Sequence, residues 1–345
     1  MTLATKVIQG NYFKDLLDQP AALAQTLKCL QGQLETRAKL RDLEPGRFRR
    51  IILTGMGSSL HALHPLNGQL IAQGYTSLLA ETSELIHYMR GLLLEDSLVV
   101  AVSQSGASAE TVRLLELNQG CTPVIGVTNT PDSPLARQAT IPLFMDAGPE
   151  FTVSCKTLLA TLLALSWLGD LLCKKAPSFP EAAIDGVEQY LRNWKSHVNE
   201  LCPILDGIRQ IFLAGRGASL AAVGSGGLTI KESTHHMAEG MSSAAFRHGP
   251  LEILDETTFV LIFAGDRRTA ELNRKLARDV EAAGGKAALA GEDVAPGVFR
   301  LPVASDCARP LLETLPVQMI TLALAALDGR EAGSFVRATK VTTTE

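Results

Sequence analysis

Glu232 follows directly on Lys231, Glu239 lies seven residues further on, and His248 stands sixteen residues after Glu232 within Arg247-His248-Gly249-Pro250. A carboxylate and an imidazole can act as a general acid/base pair when separate elements hold them in place. Apolar and small residues at near-helical spacing from Leu220 to Ala238 predict a helix that carries Glu232. Gly249-Pro250 cannot continue a helix, so His248 is expected to open a loop. The same residues also fit a charge on a helix surface and a loop histidine making one hydrogen bond. The choice between these readings turns on the rest of the chain.

The chain repeats itself. Ile51-Ile52-Leu53-Thr54-Gly55-Met56-Gly57-Ser58-Ser59-Leu60 returns 160 residues later as Ile211-Phe212-Leu213-Ala214-Gly215-Arg216-Gly217-Ala218-Ser219-Leu220. Each copy reads as a short apolar strand, a glycine-rich turn and the start of a helix. A second pair of strands, Leu98 to Gly106 and Phe259 to Gly265, lies at nearly the same offset, and a third follows as Val124–Val127 and Ala287–Ala290. Strands alternating with helices predict an α/β fold with parallel sheets covered on both faces, and two copies predict two such domains. Ahead of the first copy, Tyr12 to Leu43 reads as helical, with apolar positions at Leu16, Leu17, Leu23, Leu27, Leu30 and Leu34. A proline-punctuated connector, Lys174 to Pro180, separates the halves, and an amphipathic helix from Ala183 to Leu201 follows it.

Open parallel sheets bind ligands beyond the carboxyl ends of their strands. There the first copy places Ser103-Gln104-Ser105-Gly106-Ala107-Ser108, followed by a helical stretch from Glu110 to Leu117. Hydroxyls and backbone N–H groups at a helix start suit a phosphate dianion, with Ser58 and Ser59 as further donors. Plain N-cap and turn roles fit the same spacing. The counterpart in the second copy, Ala264-Gly265-Asp266-Arg267-Arg268, has no serine. A duplication that keeps the fold but drops the serines points to one domain holding phosphate and the other supplying different groups. The loop is not a Walker motif, and Gly55-Met56-Gly57 lacks the third glycine of a dinucleotide fingerprint.

Other classes are disfavoured. The chain has 345 residues, 46% of them hydrophobic and 20% charged, with a net charge of −4, so no basic face for nucleic acid is expected. The six cysteines are scattered without a C-x-x-C pair, which fits reduced, mostly buried thiols in the cytoplasm. Met1 to Gly10 has no signal-peptide core, and the longest apolar run, Leu158 to Leu172, reads as a buried core helix rather than a membrane span. Glu232, His235, His236 and Glu239 would share one helical face, but no H-E-x-x-H pattern occurs and no metal is expected. His61 and His64 read as packing or surface residues, and no nucleophile motif is present.

The duplication, Ser103-Gln104-Ser105-Gly106, and Lys231-Glu232 followed by Arg247-His248-Gly249-Pro250-Leu251 together resemble the sugar isomerase (SIS) family. Within it the likeness is to the isomerase half of the glutamine–fructose-6-phosphate aminotransferases, from about residue 20 to the C-terminus. The resemblance implies two tandem flavodoxin-like, three-layer SIS domains: a helical segment over 1–45, a phosphate-binding domain over 46–176, a second domain over 181–330, and an ordered tail over 331–345. It implies that Ser59, Ser103, Gln104, Ser105 and Ser108 bind phosphate, that Glu232 shuttles a proton, and that His248 opens the sugar ring from the neighbouring subunit of a homodimer. Lys340, five residues before Glu345, matches the family's tail lysine, which approaches the sugar carbonyl by polarising it or by forming a Schiff base.

There are departures: Thr229 replaces a lysine, Ser225 a glutamate, the Glu150–Lys156 loop is one residue shorter, and the glutaminase domain is missing. Glutamine-dependent synthesis by this chain alone is therefore not expected. The resemblance implies an isomerase or deaminase of an amino-sugar or ketose 6-phosphate, cofactor-free, working through an enediol or enolamine. The alternatives are a deglycase of phosphorylated sugar–amine adducts and a phosphosugar sensor without catalysis.

Overall fold

The computed structural model describes residues 7–178, 181–337, 339–342 and 344. Residues 1–6, Phe179 and Pro180 of the connector, and Ala338, Thr343 and Glu345 of the tail lie outside the described residues. The chain divides into two compact units. One comprises Ala21–Glu150, Lys156–Phe179 and Arg337–Glu345, and the other Met1–Pro20, Phe151–Cys155 and Pro180–Val336.

The first unit is built on five parallel strands: β1 (Arg50–Gly55), β2 (Ser77–Glu81), β3 (Ser97–Val102), β4 (Val124–Thr128) and β5 (Ile141–Phe144). Their order across the sheet is β2-β1-β3-β4-β5. β3 and β4 are buried at every position and β1 at all but its first. That pattern is what a parallel sheet covered on both faces requires, and it made these strands readable as apolar runs. Ile52, Val99, Ala101 and Val124 pack on one face against Leu85, Ile86, Leu114, Leu115 and Leu135. The helix Lys156–Leu172 is buried at all but one of its positions, as the sequence predicts.

The helical stretch expected from Tyr12 to Leu43 is three shorter helices, Asn11–Leu17, Gln19–Gly32 and Leu34–Asp42. Leu16, Leu23, Leu27 and Leu30 are buried as expected, but Leu17 and Leu34 are exposed. The second break has a clear cause. Gln33 turns its amide onto the end of β5, donating to Phe144 O at 2.8 Å and accepting from Phe144 N at 3.0 Å.

The second unit repeats the winding with four parallel strands: β6 (Gln210–Gly215), β7 (Met237–Ser242), β8 (Thr258–Phe263) and β9 (Lys286–Ala290), ordered β7-β6-β8-β9. Phe212, Ala214, Val260 and Ile262 pack against Phe246, Leu276 and Val280. The helix expected from Leu220 to Ala238 stops at Thr234. His235 takes a left-handed conformation, φ 62°, and its N–H bonds Lys231 O at 3.0 Å, which closes the helix. Ala238 and Glu239 therefore belong to β7, and Glu239 shares no helical face with Glu232.

This helix lies backbone to backbone on the edge strand. A Cβ added at Gly240 would stand 2.1 Å from Val223 O, and one at Gly227 would stand 2.8 Å from Gly240 N. The amphipathic helix expected from Ala183 to Leu201 is two, Ala182–Arg192 and Trp194–Leu205. The stretch Arg309–Asp328 is apolar and long enough by composition to cross a membrane, yet its apolar window is 94% buried inside the fold, as in a core helix. The six cysteines are all free thiols, but only Cys155 is buried and Cys121 is exposed, which corrects the expectation of mostly buried thiols.

Candidate active site

The carboxyl ends of β1 and β3 lie side by side, with Gly55 paired to Val102. The chain leaves them toward opposite neighbours, β2 and β4, so the loops that follow diverge at the place where open parallel sheets take their ligands. Ser59 sits half-buried in the helical turn Gly57–His61 after β1, and the serine loop follows β3. Ser103 Oγ accepts the Gly106 N–H at 3.1 Å, and Ser105 Oγ accepts the Ala107 N–H at 3.3 Å. These are turn-forming bonds, but a hydroxyl that accepts still has its own proton to donate. Ser108 occupies the N-cap of Ala109–Asn118, yet its hydroxyl pairs with Thr111 Oγ1 at 2.8 Å and makes no capping bond.

Gln104 fixes the loop through its backbone, its carbonyl accepting from Asn129 N at 3.0 Å and Thr128 Oγ1 at 3.2 Å. Gly106 is at φ 62°, and a Cβ there would lie 2.1 Å from Ser133 Oγ, so only glycine fits. The positive end of a ten-residue helix dipole thus faces a loop whose hydroxyls keep their protons.

The tail joins this loop. Thr342 O accepts the Ala109 N–H at 3.1 Å, taking the first backbone donor of that helix. Lys340 Nζ lies 2.5 Å from Glu150 Oε2, and the Glu150 side chain is fully buried. Glu150 also accepts Thr157 N at 3.1 Å and Thr157 Oγ1 at 2.6 Å, a carboxylate set at the start of the Lys156–Leu172 helix. Glu150 therefore positions Lys340. Glu150→Gln is expected to speed amide hydrogen exchange in the peptide around Lys340–Thr342 by about tenfold or more, since it removes a charge-assisted anchor. Unchanged exchange there would mean that something else holds the tail.

Glu232 stands half-buried in the last turn of the Leu220–Thr234 helix, as the sequence predicts for its element. Beside it, Lys231 Nζ reaches Glu239 Oε2 at 3.3 Å across to β7. His248 is exposed on a turn after the short helix Ser243–Phe246, its N–H bonded to Ala245 O at 2.9 Å. Arg247 pairs with Asp279 at 2.6 Å, and Gly249, at φ 132°, lets the chain bend into Pro250. The serine loop, Ser59 and Lys340 thus belong to one unit, and Glu232 and His248 to the other. Among the described residues no group of three or more His, Cys, Asp or Glu side chains is placed to hold a metal ion.

The SIS domain pattern matches residues 47–169 and 204–290, the two wound sheets and the loops described above. The chain belongs to the SIS domain family. Its two SIS domains are each a parallel sheet flanked by helices. A glutamine–fructose-6-phosphate aminotransferase (isomerizing) of Pyrococcus horikoshii is 30% identical over 336 residues, which is 92% of this chain and 54% of that protein. The SIS chain thus spans about half the length of the curated relatives it matches. The C-terminal domain of a glucosamine-fructose-6-phosphate aminotransferase from Francisella tularensis superposes with a TM-score of 0.78 at 22% identity, covering 94% of this chain and 98% of that one. A glucosamine-6-phosphate deaminase from Thermotoga maritima superposes with a TM-score of 0.80 at 18% identity, covering 97% and 100%.

Two carboxylates of this SIS chain escape sequence reasoning. Glu150 follows Gly148-Pro149 in a loop and carries no motif, and its lysine partner is 190 residues away. Glu313 precedes a long apolar helix, where a lone acid reads as a helix-start charge. Its only signal was its place beside a hydrophobic run.

Proposed function

We propose that this SIS chain is a phosphosugar isomerase or deaminase acting on an amino-sugar or ketose 6-phosphate of the glucosamine 6-phosphate or fructose 6-phosphate type. The observation that carries the reading is the serine loop, whose Ser103 and Ser105 hydroxyls keep their protons at the start of the Ala109–Asn118 helix, with the Lys340 tail bonded to that helix. In this reading Ser59, Ser103, Gln104, Ser105 and Ser108 take the phosphate. His248, supplied by a second copy in a homodimer, moves a proton from the anomeric hydroxyl, at C1 in an aldose and C2 in a ketose, to the ring oxygen and opens the ring. Its exposure on a turn suits a group offered to another chain.

Glu232 then takes the C2 proton and returns it at C1, through an enediol or, for an amino sugar, an enolamine. With glucosamine 6-phosphate the product of that transfer is a ketimine. Water adds at C2, ammonia leaves, and fructose 6-phosphate remains. Lys340 polarises the C2 carbonyl or condenses with it, losing water. The names of the relatives support this class of substrate.

The test is ammonia and fructose 6-phosphate release from glucosamine 6-phosphate by the purified chain, with interconversion of glucose and fructose 6-phosphates followed in parallel. Turnover of any of the three supports an enzyme. Saturable binding of all three without turnover would overturn it in favour of a phosphosugar sensor. Ser105→Ala is expected to weaken sugar-phosphate binding by about tenfold, the loss of one hydrogen bond to a charged group. Unaltered affinity would remove the loop from the phosphate site.

A further inference from the structure

The second SIS domain has a cleft of its own where the first carries its serine loop. It encloses about 1050 Å³ beyond the carboxyl ends of β8 and β9, bounded by the Ala264–Arg268 turn, the Gly291–Val294 segment and the Leu301–Asp306 stretch. Glu313 lines it and is 1% exposed. Its Oε1 accepts from Ser219 Oγ at 2.8 Å, while its buried Oε2 has no partner among the described residues. Buried polar atoms are nearly always satisfied, so a carboxyl oxygen with no partner among the described residues, set just behind a cleft wall, leaves a place for a donor from outside the chain.

The chemistry differs from that of the first domain. Asp266 stands in the serine loop's counterpart and folds back on its own turn, accepting Arg268 N at 2.9 Å and the Arg268 guanidinium at 2.6 Å. The Arg268 hydrogen bond holds that carboxyl below the usual carboxylate range. A fixed carboxylate at this place disfavours a phosphate. Arg309 is likewise tied to Asp306 at 2.8 Å. With those two guanidiniums spent, Asp293, Glu313 and Glu292, whose Oε1 also accepts Ala304 N at 3.1 Å, remain as acceptors in the wall, with Arg267 as a rim cation and Arg274 paired with Glu271 at 3.8 Å.

We infer that this cleft is a second small-molecule site, which binds a polyhydroxylated amine of the amino-sugar class with its ammonium group donating to Glu313 Oε2. Hydroxyls suit the remaining carboxylates and guanidiniums, and the volume exceeds that of a monosaccharide. The inference stands whether or not the first domain's reading holds. Burial pushes the Glu313 carboxyl up to about 8, opposed by the Ser219 hydrogen bond and the Arg309 charge and reinforced by Glu292. At pH 6.5 the empty cleft therefore holds a protonated acid, and an arriving ammonium displaces that proton to solvent.

The experiment is calorimetric titration of the full chain at pH 6.5 with glucosamine, which lacks the phosphate a serine loop would hold, and with glucose as the amine-free control. Two buffers of different ionisation enthalpy count protons. Glucosamine is expected to bind saturably, at least about tenfold tighter than glucose, releasing up to about one proton per site. Glu313→Gln should abolish the proton release and weaken glucosamine by about tenfold, and Ser105→Ala should change neither. No saturable heat up to about 10 mM, equal binding of glucose, or unaltered binding by Glu313→Gln would overturn the proposal. Should Glu313→Gln fail to fold, amide-exchange protection of the wild type by glucosamine decides: protection at 215–219 and 264–268 supports the site, and protection confined to 103–108 overturns it.

Discussion

Glu232→Gln is expected to cut turnover of the 6-phosphosugar by about 10²–10⁴-fold while leaving its affinity within about twofold. The two side chains have the same shape and differ in one property: the amide cannot accept a proton from C2 and return it at C1. The helix should be indifferent to the change, because glutamine and glutamate have similar helical propensity. Steady-state kinetics beside a binding titration separates the effects. Exchange of the C2 hydrogen for solvent deuterium gives an independent readout and should disappear with turnover. A variant that loses affinity in proportion to rate would make Glu232 a binding group. One that keeps both would remove it from the chemistry.

Gly240→Ala is expected to destabilise the second SIS domain by about 3 kcal/mol or more. The new methyl would meet Val223 O at 2.1 Å and Val223 C at 2.7 Å, backbone atoms of the helix that carries Glu232. No rotamer can relieve a clash with a carbonyl, so either the helix or β7 must move. Gly68→Ala is the control. Gly68 lies inside the helix His64–Ala72 with nothing within 4 Å of the added carbon, and alanine there should stabilise by about 0.5–1 kcal/mol. Denaturant midpoints measure both changes. Coincident midpoints for Gly240→Ala and the parent would mean that the helix and strand are not in contact at this point. A folded Gly240→Ala chain with a displaced helix should also lose turnover, since Glu232 rides on that helix.

The central strands are legible in the sequence, and of the edge strands only β9 is. β1, β3, β6 and β8 are continuous apolar runs because both of their faces are buried, and the 160-residue repeat marks them twice. β2 is half-exposed and begins with serine, so it shows neither a run nor an alternation. The start of β7 reads as the end of a helix. Its Met237-Ala238 continues the small-residue pattern, and the residue that ends the helix in the left-handed region is His235, where glycine would have signalled a stop. In the site, the serine loop and the Glu232 helix were readable because their chemistry is local. The burial of Glu150 against Lys340 and of Glu313 against Ser219 joins residues 190 and 94 positions apart, a pairing that no window along the chain contains.

The contrast between the serine loop and Asp266 bears on how the two domains respond to heat. The second domain carries its own negative charge at its loop, so that turn is complete before any metabolite arrives. The first leaves the positive end of a helix facing serine hydroxyls that still have protons to give. A bound phosphate ester should therefore stabilise the first domain selectively, by RT ln(1 + [L]/Kd), and so raise the melting temperature of that domain above that of the second.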